Sequence, residues 1–118
     1  MSNDVFVITE HMDGKFSDVS FEMVGKAKEL TSALGGQTIA VTLGSRLSAN
    51  GFASDSTLYV DDANLAQFNP EAYGKVIEAL VKEKLPRLVM FGWTATGMDL
   101  AAWLSARLSK PCAAYVKG

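Results

Sequence analysis

Cysteine is nearly absent: Cys112 is the one thiol in a chain of 118 residues. A single cysteine closes no internal disulfide and leaves no thiolate set for zinc or an iron–sulfur cluster. That fits a reducing compartment. Histidine is as scarce, with His11 alone. A Cys–His nucleophile pair would need His11 and Cys112 to meet from the ends of different strands. Taken singly, His11 reads as a polar loop residue and Cys112 as a small apolar residue of an edge or penultimate strand.

Charge of one sign is lacking too. The 11 basic and 13 acidic residues are scattered and leave a net charge of −2, so no basic stripe exists to track phosphates and nucleic acid is not expected as a partner. The longest strictly apolar runs are a few residues, far short of a membrane span. The chain opens Met1-Ser2-Asn3-Asp4 and enters an apolar strand at once, without the basic and apolar regions of a leader. A cytoplasmic protein is the expectation. Also missing are a Gly-x-Gly-x-x-Gly after the first strand, a Walker lysine motif and a Gly-x-Ser-x-Gly elbow. No catalytic constellation and no metal site are expected, and the chain is read as a non-enzyme.

What remains is an ordinary globular composition, 48% apolar and 20% charged, with room for one domain over residues 1–118. Val5–Ile8 is a run of four apolar residues, as in a parallel strand covered on both faces. The loop Thr9 to Phe16 follows, with Asp13-Gly14 as a turn signal. Ser17 is the candidate N-cap of a helix to Leu34, with Met23, Val24, Ala27, Leu30 and Leu34 as its stripe and Gly35-Gly36 as its stop. Thr38–Leu43 is the second strand. Ser45–Ser56 is polar, holds Asn50-Gly51 and has no helical stripe, so one turn of helix at most is expected there. Thr57–Val60 is the third strand. Asn69-Pro70-Glu71 caps a helix carrying Tyr73, Val76, Ile77, Leu80 and Val81, which Pro86 ends.

Pro86 to Leu108 organises the rest. Leu88–Phe91 reads as a central buried strand, Gly92 to Gly97 as a small-residue crossing, and the following helix presents Leu100, Ala101, Leu104 and Leu108 on one side. Thr96 is the expected N-cap and Asp99 the first-turn carboxylate. A last strand covers Cys112–Val116. Strands alternating with helices predict an α/β fold: a three-layer, Rossmann-like open parallel sheet with helices on both faces.

The Gly92–Gly97 turn sits where ligands meet parallel sheets, at a strand's carboxyl end. It reads in two ways. Free amides at a helix start can hold an anion, and small residues equally allow a tight crossover against the sheet. Glu10 and Asp99 fall at the ends of neighbouring strands, as an acid–base pair or as a loop acid and a helix-start acid. Trp93 and Trp103 are placed near a surface, where tryptophans mark protein interfaces.

Two stretches carry a family resemblance. Val5-Phe6-Val7-Ile8-Thr9-Glu10-His11-Met12-Asp13-Gly14-Lys15 resembles the opening of electron-transfer flavoprotein alpha subunits, and Gly92-Trp93-Thr94-Ala95-Thr96-Gly97-Met98-Asp99-Leu100 resembles their Thr-x-Thr-Gly turn, continued by Ala106-Arg107-Leu108. The resemblance implies the N-terminal domain of such a subunit, of the adenine-nucleotide hydrolase-like superfamily, without the C-terminal domain that holds FAD. It implies electron transfer by an assembly, with FAD elsewhere in the complex. The expected partner is a beta subunit, or a second copy of this chain. AMP is the candidate ligand within this chain, at Thr94, Thr96, Gly97 and Asp99. Departures weaken anion binding there: Met98 stands where the family carries arginine, and Ala102-Trp103 where it has Pro-Arg. Three readings follow: a non-catalytic scaffold, an adenine-nucleotide module using the strand ends at Thr9, Leu43 and Gly92–Gly97, and, ranked last, an enzyme.

Overall fold

The computed structural model describes residues 3–12, 15–16, 18–44, 54–65, 69–92, 95–105 and 112–115. In chain order the elements are strands β1 (Val5–Ile8), β2 (His11–Met12) and β3 (Lys15–Phe16), helix α1 (Asp18–Leu34), strands β4 (Thr38–Gly44) and β5 (Ser56–Asp61), helix α2 (Pro70–Lys84), strand β6 (Leu88–Gly92), helix α3 (Ala95–Ser105) and strand β7 (Cys112–Tyr115). A single 3-10 turn, Ala63–Leu65, precedes α2.

Five strands form one parallel sheet in the order β5-β4-β1-β6-β7. β1 is central, pairing Val5 with Thr38 on one side and with Leu88 on the other. The chain first steps from β1 to β4 and β5, then returns across the sheet to β6 and β7. The direction of winding therefore reverses between β1 and β6, the place where open α/β sheets open a crevice at their carboxyl edge.

Strand alternation sends successive side chains to opposite faces, and the core divides accordingly. On one face Val5, Val7, Ala40 and Met90 pack against Met23, Val24 and Ala27 of α1. On the other, Phe6, Ile8, Val41, Leu43, Val89 and Phe91 meet Tyr73, Ile77 and Val81 of α2 and Leu100 and Leu104 of α3. Burying each large side chain contributes about 1.5–3 kcal/mol, so Phe6 and Phe91, both fully buried, are main supports of the thicker face. All four residues of β1 are buried, as the unbroken apolar run predicts.

The α1 stripe differs from the one read in the sequence. Leu30 is 39% exposed. The buried line runs through Ser20, Met23, Val24, Ala27 and Thr31, and the two polar members are satisfied: Thr31 Oγ1 lies 2.9 Å from Thr38 Oγ1, and Ser20 Oγ bonds the Glu10 backbone. A hydroxyl with a partner is buried at little cost, so it can hold a core position that an apolar-only pattern assigns to its neighbour. Gly35, at φ 80°, closes the helix with its amide on the Thr31 carbonyl at 2.8 Å.

α2 follows its capping signals. Asn69 Oδ1 accepts from the Glu71 and Ala72 amides at 3.0 and 3.2 Å, Pro70 opens the helix, and Leu85 ends it in the left-handed region at φ 50°. Two strands were not foreseen. β2 and β3 form a small antiparallel hairpin that pairs His11 with Phe16 and Met12 with Lys15 across residues 13–14. The Asp13-Gly14 turn signal thus marks a hairpin rather than a plain loop, although 13–14 themselves lie outside the described residues. So do Ser17, the proposed cap, Asn50-Gly51 and most of the Ser45–Ser56 segment; Ser56 itself begins β5.

Candidate functional site

The carboxyl edge of the sheet is where β1, β4 and β6 end together, and its geometry follows from how each strand stops. β1 leaves the β4 ladder after the Thr9 amide donates to the Val41 carbonyl at 3.0 Å. The Thr9 hydroxyl donates to the same carbonyl at 3.1 Å and lies 2.9 Å from Thr42 Oγ1. The next acceptor along β4 on this side is the Leu43 carbonyl, two residues on. In a continued ladder the amide of residue 11 would reach it. Instead the chain turns into the hairpin, and His11 supplies its ring: Nε2 lies 2.6 Å from Leu43 O. A carbonyl only accepts, so Nε2 carries the proton and donates. The imidazole is also held edge-on to Phe16, with ring centroids 5.8 Å apart at 77°.

Tyr73 approaches the same carbonyl from α2. Its hydroxyl donates toward Leu65 O at 2.9 Å and Leu43 O at 3.2 Å. A phenol has one proton for these two acceptors. His11 satisfies Leu43, and the shorter contact assigns the Tyr73 proton to Leu65. Tyr73 is buried, and desolvation raises its pKa above the ordinary tyrosine value.

At the end of β6 the small residues have a packing explanation. α3 begins at Ala95, so Thr96 and Gly97 belong to the helix instead of the crossing. The expected Thr96 N-cap is thereby corrected, and Asp99, the fifth helical residue, lies beyond the first turn and is exposed. Crossovers this tight start the helix as soon as the strand ends, which moves the boundary ahead of the threonine. Gly97 is buried, and a Cβ there would overlap the Gly92 carbonyl oxygen. Only glycine lets α3 sit this close to the end of its own strand. Of the four nominated ligand residues, Gly97 and Asp99 are therefore described in full, Thr96 through its backbone only, and Thr94, like Trp93, lies outside the described residues.

The other sequence candidates are placed as follows. Glu10 is half-buried next to β1, its amide donating to Ser20 Oγ at 2.7 Å. Cys112 starts edge strand β7 opposite Val89, which in turn pairs with Phe6. It therefore lies toward the amino edge, whereas His11 lies past the carboxyl end of β1, and the register keeps their backbones at opposite ends of the sheet. Trp103 is half-buried and serves the interior: its ring lies against Gly74 of α2, where a Cβ would collide with it. Among the described residues, no group of three His, Cys, Asp or Glu side chains could hold a metal ion. No described helix is long and apolar enough to cross a membrane.

The chain matches the electron transfer flavoprotein domain family over residues 5–118. It belongs to that family. An electron transfer flavoprotein subunit alpha from Clostridium acetobutylicum is 38% identical over 110 residues, which cover 89% of this chain and 33% of the relative. The subunit alpha from Thermoanaerobacterium thermosaccharolyticum is 33% identical with the same two coverages. The chain thus spans about a third of the length of these relatives, and it corresponds to the N-terminal portion of an electron-transfer flavoprotein alpha subunit. Among solved structures, a universal stress protein in complex with cAMP matches at a TM-score of 0.61 and 14% identity, covering 99% of both chains. That likeness bears out the Rossmann-like α/β fold.

The role of His11 was not visible in the sequence, where it stood in a loop. The signal that could have found it is a strand ending just before a polar residue at ladder spacing, with Asp-Gly two positions on. The Tyr73 hydroxyl left a fainter sign: a phenol on an otherwise apolar stripe, which needs a buried acceptor.

Proposed function

We propose that this domain works as a non-catalytic scaffold in a flavin-based electron-transfer complex, the N-terminal domain of an alpha subunit docked on a beta subunit. The FAD that carries electrons lies outside this chain, and the assembly is cytoplasmic. Family membership supports the setting. The observation that carries the scaffold reading is the carboxyl edge. Each strand end nominated for a nucleotide is engaged within the fold: Thr9 with Val41 and Thr42, Leu43 with His11 and Tyr73, and Gly92 with Gly97. A site for adenine nucleotide would need free amides and room for a phosphate at that edge, and at Gly97 the helix backbone lies directly against the Gly92 carbonyl.

The second reading, an adenine-nucleotide module, draws on the fold shared with a universal stress protein solved with cAMP. Calorimetric titration of the 118-residue chain with AMP, ADP, ATP and FAD separates the two, alongside gel filtration with a separately purified beta subunit. The scaffold reading expects no heat with any nucleotide and a stable complex with the beta subunit. Saturable micromolar binding of AMP would establish the second reading and return Thr94, Thr96 and Asp99 to the site.

A further inference from the structure

We draw no further inference here: the strongest candidate, the β7 edge of the sheet with the adjoining outer face of α3, where Met98 is exposed, carries nothing because nothing in the structure shows what covers it.

Discussion

Two positions at the carboxyl edge are open to a single-atom change, one atom added and one removed. A methyl group at position 97 would overlap the Gly92 carbonyl oxygen, which is backbone and has little freedom to move. Gly97→Ala is therefore expected to cost about 3 kcal/mol, toward the upper end for overpacked sites, read as a lower urea midpoint at unchanged slope. Among the described residues, Tyr73→Phe leaves the Leu43 and Leu65 carbonyls with the His11 proton as their side-chain donor. An expected loss of about 1–2 kcal/mol follows from the unmade bond. The same residue has a pH signature. Burial raises the folded-state pKa of Tyr73, so the folded chain keeps a proton that the unfolded chain gives up near pH 10. Its contribution is complete below pH 10 and declines as pH rises from there toward the folded value. The urea midpoint measured from pH 8 to 11 should fall less steeply in Tyr73→Phe than in the natural sequence.

At the scale of elements, α2 offers the clearest tests because both of its ends are defined. Asn69→Ala removes the acceptor for two amides and is expected to cost about 1 kcal/mol. Leu85 sits at φ 50° with 42% of its surface exposed, a conformation that glycine adopts without a Cβ penalty. Leu85→Gly should gain up to about 1 kcal/mol, which urea unfolding checks. These ends were legible in the sequence, as were the five strands of the main sheet, because Asn-Pro-Glu and unbroken apolar runs admit few alternatives. The α1 face and the α3 boundary were less so. Leu30 looked like a core residue because hydrophobicity cannot show that Thr31, one position on, would find Thr38 at the start of the next strand. Thr96 looked like a cap because a cap is a local signal, whereas the true start at Ala95 is set by Gly97 docking on the strand before it. The hairpin escaped for a related reason. Strands of two residues carry no periodicity, and one of them is joined to the sheet by a ring-to-carbonyl bond spanning 32 positions.

For the whole molecule, the sheet order sets how the helices brace one another. Helices α2 and α3 lock into each other where the Trp103 ring covers Gly74, and both rest on the same apolar face. Gly74→Ala is expected to separate them slightly and cost about 1–2 kcal/mol. A lowered urea midpoint checks it. The amino edge is knitted as firmly: Asp4 Oδ1 accepts from the Gln37 amide at 2.9 Å, Asn3 Nδ2 donates to Leu34 O at 3.0 Å, and the Arg87 amide donates to Asp4 O at 2.8 Å.

The central position of β1 also sets an order of events during synthesis. Val5 pairs with Thr38 on one side and Leu88 on the other. With a ribosome adding about 5–20 residues per second, Val5 waits roughly 4–17 s for Leu88 to be made. Through that interval a fully buried strand of the finished domain has one flank open while it emerges from the exit tunnel, and the nascent chain is then a natural client for a chaperone that binds short apolar runs.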